Sequence, residues 1–156
     1  MKNLIIYLIA LFPIMLFGQS NNSYNLEVEL NSFDKTIDIK QVMKYKNVSN
    51  TSVDIIFLED WSNAYSNTDT KLAKRISDEY SRSFSFSQKK QRGFTVIDKI
   101  SSNNIDKWIR LENTSDIIKL FLKEPLKINQ SIEIEISYSI KLPDSKFTGF
   151  GYDKDR

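Results

Sequence analysis

Near the C-terminus Ile132, Ile134, Ile136, Tyr138, Ile140 and Leu142 alternate with Glu133, Glu135, Ser137, Ser139 and Lys141. Successive side chains of an extended chain point to opposite faces, so this run fits only a strand that is apolar on one side and wet on the other. On a helix the same residues would scatter round the axis, and no apolar stripe would form. Proline at position 143 then removes a ladder donor and ends the strand. The same period opens the chain, where Tyr24, Leu26, Val28 and Leu30 alternate with Asn25, Glu27 and Glu29. After a turn at residues 31–35 it returns in residues 36–46, where Ile37, Ile39, Met43 and Tyr45 oppose Asp38, Lys40 and Lys44. Gln41 interrupts the apolar face of that run and Val42 the polar one.

Further strands are predicted at residues 53–58, with apolar residues on both faces, and at 117–122, with weaker ones at 94–100 and 108–111. Residues 47–52 (NVSNTS) and 123–131 carry turn chemistry. Only one segment changes period. Leu72, Ile76 and Tyr80 stand four apart with Ala73 beside them, which predicts a short amphipathic helix capped by Thr68 or Asp69. The expected fold is mostly β: an antiparallel sandwich or saddle-like sheet with one short inserted helix.

Residues 1–18 (MKNLIIYLIALFPIMLFG) place Lys2 before an apolar run from Leu4 to Phe17, and Gly18 before a polar stretch. The run is shorter than the ~20 residues that cross a bilayer, so it reads as a removable signal peptide. Residues 19–156 then form one β-domain, located in the periplasm or outside the cell, with no membrane attachment after cleavage. A chain of that length buries roughly two-thirds of the surface its unfolded form exposes and needs no disulfide or metal to fold.

Cysteine and histidine are both absent. That removes cysteine nucleophiles, serine–histidine catalysis and sites ligated by thiolate or imidazole. Lys+Arg number 22 against 20 for Asp+Glu, a net charge of +2 that gives no global attraction to nucleic acid. Residues 82–94 (RSFSFSQKKQRGF) interleave aromatics with cations, as single-strand binders do. The expected reading is a solvated loop with Phe84 and Phe86 under the sheet, and no nucleic-acid partner. Glu59 and Asp60 are neighbours on a strand and face apart, so they cannot share a proton across a substrate. Asp98, Asp106 and Asp116 lack calcium-loop spacing. Asn-x-Ser/Thr triplets at Asn47, Asn50, Asn113 and Asn129 carry no weight in so Asn-rich a chain.

Three stretches carry a resemblance. The first is Tyr24 to Leu30, followed by Met43-Lys44-Tyr45-Lys46-Asn47. The second is Ile56-Phe57-Leu58-Glu59-Asp60-Trp61-Ser62-Asn63-Ala64-Tyr65, running into Thr70 to Lys74. The third is Arg92-Gly93-Phe94, then Leu120 to Leu126 and the long strand to Pro143. In this order they resemble the N-terminal β-domain of secreted bacterial zinc peptidases of the aminopeptidase N family. The loop departs from the pattern at Ser62, where such proteins often have proline. The family's H-E-x-x-H and G-x-M-E-N motifs are missing, and Leu111-Glu112-Asn113 only echoes the latter.

The resemblance therefore implies a non-catalytic domain with no catalytic, cofactor-binding or metal-binding residue of its own. Zinc would belong to a separate catalytic domain, encoded downstream or elsewhere, which is the implied partner. The expected interdomain surface is Trp61 and Tyr65 with the tail aromatics Phe147, Phe150 and Tyr152, and the expected role is shaping the substrate cleft. The alternative reading is a free-standing binding module for protein or glycan. The leader carries its own test: N-terminal sequencing of the exported protein is expected to begin within a few residues of Gln19, whereas an intact Met1 in a membrane fraction would mark an uncleaved anchor.

Overall fold

The computed structural model describes residues 22–79, 82–111 and 114–153. The leader expected at residues 1–18 lies outside them. Among the described residues seven strands form two antiparallel sheets. They are β1 (Ser23–Asn31), β2 (Thr36–Lys46), β3 (Val53–Glu59), β4 (Phe94–Ser101), β5 (Ile105–Arg110), β6 (Ile117–Leu126) and β7 (Ser131–Lys141). The first sheet has the order β1-β2-β7-β4 and the second β3-β6-β5.

A single apolar cluster lies between the sheets and draws from both. Met43, Ile100, Ile132, Ile134 and Ile136 come from the first, and Ile56, Ile105, Ile118, Leu120 and Leu126 from the second. The expected mostly-β fold is therefore present, in its sandwich form. The alternation in β7 works as read: Ile132, Ile134 and Ile136 are buried while Glu133 and Glu135 face water. Strand β6 runs further than expected, through Pro125 to Leu126. Its pairing with β3 jumps from Ile55↔Phe121 to Val53↔Leu126, so Pro125 falls where no ladder bond is required of it. Bulges at Asp98 in β4 and Asp106 in β5 absorb one extra residue each.

Because neighbouring strands in sequence often lie in different sheets, the crossovers must satisfy their own backbone groups. At one end Asn47 does this. It is fully buried, its Nδ2 donates to the carbonyls of Thr51 and Leu126 at 2.8 Å each, and its Oδ1 accepts from the Ser49 amide and hydroxyl. Its backbone binds Gln130 and Asn129. The β2–β3 and β6–β7 crossovers are thus tied through one side chain. With both amide hydrogens engaged in the interior, the Asn47 triplet offers no acceptor for a glycan in the folded chain.

The helix α1 (Lys71–Glu79) lies in the long β3–β4 connection. Its cap is Thr70 rather than Thr68 or Asp69: the Thr70 hydroxyl accepts from the Ala73 amide at 3.1 Å and donates to the Ala64 carbonyl at 2.6 Å. Leu72, Ala73 and Ile76 pack with Tyr65 and Phe84 in a second small core, joined by Phe147 and Phe150 from the tail. Tyr80 lies outside the described residues. The tail includes a short helix, α2 (Ser145–Thr148), and a bridge from Asp144 to Tyr152. Gly151 makes that return possible, with φ of 120° and a position where a Cβ would stand 2.0 Å from the Pro143 carbonyl oxygen.

Truncating Asn47 strands the Leu126 carbonyl in the interior and frees both crossovers. Asn47→Ala is expected to cost about 2–4 kcal/mol, since each buried polar group left unpaired costs about 1–3. Urea unfolding followed by tryptophan fluorescence measures it, and a loss below about 1 kcal/mol would show that the crossovers hold without the clasp.

Candidate functional site

The opposite end of the sandwich is built around Asp60, immediately after β3. Its Oδ2 accepts from Arg110 Nη1 at 2.7 Å, and its Oδ1 accepts from the Thr95 hydroxyl at 2.6 Å. Arg110 belongs to the second sheet and Thr95 to the first, so one carboxylate clamps both. Asn63 completes the cluster: its Nδ2 donates to the Ser115 carbonyl at 2.6 Å, and its Oδ1 accepts from the Thr95 amide at 3.2 Å. Arg110 also donates to the Ser115 carbonyl. Asp60 is an interior carboxylate whose charge is matched by a guanidinium, and its neighbour Glu59 is exposed.

Beside this cluster a cleft of about 370 Å³ opens between the sheets. Ile97, Ile118, Ile136 and Ile140 line its interior, while Tyr24, Phe57 and Trp61 stand at its rim among other residues of β1 to β3. Gln41, the residue that interrupted the apolar face of β2, is inside it and accepts from the Tyr138 hydroxyl at 3.1 Å. Burial pushes the Tyr138 phenol above its ordinary value, and the Asp60 charge pushes it further the same way. Burial also raises Tyr65, against a smaller opposing effect of its hydrogen bond with Trp61.

The aromatic surface expected at Trp61, Tyr65, Phe147, Phe150 and Tyr152 is not one exposed patch. Trp61 is 58% exposed, but Tyr65 is 5% exposed. Tyr65 meets Trp61, Phe84 and Phe150 edge to face, with centroids 6.1, 6.0 and 5.0 Å apart. Phe147 and Phe150 are half-buried in the same small core. Tyr152 is half-buried too, under the Lys35 ammonium at 3.8 Å from its ring centroid. Aromatics in turn-rich sequence here close a local core.

The basic loop divides likewise. Phe84 is buried, though in the small core beside α1 rather than under the sheet, whereas Phe86 is 81% exposed, because the 3-10 turn Arg82–Phe86 aims the two rings apart. Arg92 is committed internally, donating from Nε and Nη2 to the Ser87 hydroxyl and carbonyl.

The larger apolar surface lies where sequence reasoning placed a half-buried strand. Tyr24, Leu26, Val28 and Leu30 are 57%, 49%, 59% and 63% exposed. They share the inward face of the first sheet, as their pairing with Met43, Gln41, Ile39 and Ile37 shows. Four strands face three, however, and β1, which gives no residue to the core between the sheets, overhangs the edge of the second. The signal that could have found this was the strand count: an odd number of strands in two sheets leaves one inner face short of cover.

The chain matches no protein-family profile and no curated protein. The likeness to aminopeptidase N-terminal domains therefore rests on the segments within residues 24–47, 56–74 and 92–143 alone.

The Tyr138 shift gives a pH dependence. Above the ordinary phenol value of 10.0 the unfolded chain releases this proton before the folded chain does. Stability is therefore full below pH 10 and falls as pH rises through the raised folded value. Tyr138→Phe is expected to flatten the alkaline limb of a stability–pH curve measured by urea unfolding; an unchanged slope would place the titration elsewhere.

Proposed function

We propose that this chain is a non-catalytic β-sandwich module that packs against a partner domain through the overhanging inner face of β1. One observation carries the reading. Four aligned apolar side chains, Tyr24, Leu26, Val28 and Leu30, stand about half exposed or more on a regular strand. Contiguous apolar surface of this kind is uncommon on monomeric soluble proteins and marks association sites. Interdomain contacts typically hide about 600–1,500 Å², a scale that a nine-residue strand with the Trp61 ring at the cleft rim can approach.

The resemblance to the N-terminal domain of exported zinc aminopeptidases supports a catalytic domain as the partner, with zinc held there and none required of this chain. The contact would lie along β1 and the cleft rim, with Trp61 as the exposed member of the loop expected to form it. A free-standing binding module is favoured by a different observation: Tyr24 and Trp61 rim a cleft that also holds Gln41 and Tyr138, a pairing of ring faces and polar groups suited to a sugar.

The two readings separate on distinct residues. Replacing Leu26 and Leu30 by Ser is expected to abolish binding of a hydrophobic dye and any concentration-dependent association, while the unfolding midpoint moves little. Undiminished dye binding by that variant would overturn packing through β1. Saturable binding of an oligosaccharide by calorimetry, lost in Trp61→Ala while the fold is kept, would establish the glycan module instead.

A further inference from the structure

Among the described residues four strands stand at sheet edges: β1 and β4 in the first sheet, β3 and β5 in the second. An edge strand presents unpaired N–H and C=O groups, and folded proteins blunt such edges with bulges, lysines or prolines. Three of these four conform. β4 has the Asp98 bulge followed by Lys99, β5 the Asp106 bulge followed by Lys107, and β3 pairs irregularly between Val53 and Ile55. β1 has neither bulge, lysine nor proline, and the charges it carries, Glu27 and Glu29, are both acidic. All nine of its residues pair with β2 without a register shift, and it holds no Lys, Pro or Gly. It is a long, regular edge with an apolar stripe on one face.

The other face of β1 identifies what can pair with it. Asn25, Glu27 and Glu29 point outward; Glu27 lies opposite Lys40 of β2, but Glu29 lies directly opposite Asp38. Two carboxylates in one cross-strand pair repel, and a cation on the vacant side of β1 would relieve them. A second copy of this chain supplies the wrong charge. It has no Lys or Arg in β1 to set beside these carboxylates: in the two-fold registers that keep the apolar stripes aligned, Glu27 meets Glu27, Glu29 or Asn25.

We propose that the free edge of β1 accepts an added strand from another polypeptide, one in which apolar residues alternate with Lys or Arg. The apolar side chains would lie beside Leu26, Val28 and Leu30, the basic ones beside Glu27 and Glu29, with main-chain hydrogen bonds between. The added strand would widen the overhang into a fifth strand of the first sheet and bring its own apolar face into contact with whatever covers β1. The proposal rests on the reading of β1 as a docking surface and adds the mode of docking and the chemistry of the partner.

The test uses a capped nine-residue peptide alternating valine and lysine, a matched valine–glutamate peptide, and the intact protein. The lysine peptide is expected to bind saturably, to slow hydrogen exchange of β1 amides while leaving β3, β4 and β5 unchanged, and to bind about tenfold tighter than the glutamate peptide, as two reversed cross-strand charge pairs imply. The exposed pair Glu27→Lys/Glu29→Lys is expected to reverse that preference, with circular dichroism confirming the fold. The comparison of the two peptides needs no variant. Equal affinity for both, or binding without slowed exchange in β1, overturns the proposal. So does a dimer of the protein alone that protects β1, since the occupant is then a second copy. Failure of the lysine peptide while the Leu26/Leu30 variant still loses dye binding would overturn strand pairing and leave apolar packing standing.

Discussion

The Asp60 carboxylate is the interaction on which the arrangement of this end of the molecule depends. It accepts from Thr95 of one sheet and Arg110 of the other, and so fixes the spacing of the sheets at the mouth of the cleft. It also ends β3 and starts the 3-10 turn Trp61–Tyr65, accepting from the Asn63 amide. That turn separates two rings four residues apart, leaving Trp61 at the rim and sending Tyr65 into the small core. Removing one partner from a buried pair strands the other charge, which costs more than the intact pair contributes. The cluster is a specifying element: it decides where the crossover goes.

Asn47 performs the matching task at the far end with neutral hydrogen bonds. The choice of an amide there and a charged pair at the cleft follows from access to water. Arg110 is 25% exposed and keeps part of its hydration, whereas Asn47 is fully enclosed, where a charge would be far more costly. Between the two clasps the core is wholly aliphatic apart from the thioether of Met43, with Tyr45, Trp108 and Tyr138 at its margin. The second core, from the β3–β4 connection and the tail, extends the first around the Asp60 end.

Much of the strand structure was legible, because a strand's two faces are written residue by residue. The limits came from choices between chemically similar neighbours. Thr68, Asp69 and Thr70 can all cap a helix, and the Ala64 carbonyl, six residues away, selects Thr70. Pro125 reads as a strand breaker, yet β6 passes through it because the pairing with β3 is interrupted there. The candidate surface was legible only in part. Aromatics in polar turns signal either an interface or a local core, and the return of the tail at Gly151 decides for a core at Tyr65, Phe147 and Phe150.

Sequence by itself determined which residues share a face. The direction of Cβ alternates along an extended chain whatever surrounds it, so Tyr24, Leu26, Val28 and Leu30 had to form one stripe and Glu27 and Glu29 the other. Tertiary structure alone decided whether that stripe is covered. Ile132, Ile134 and Ile136 lie under the second sheet and are buried; the β1 stripe, with the same period, lies beyond its edge and is not. Burial depends on how many strands stand opposite, a property of the whole assembly of sheets that no single strand's sequence contains.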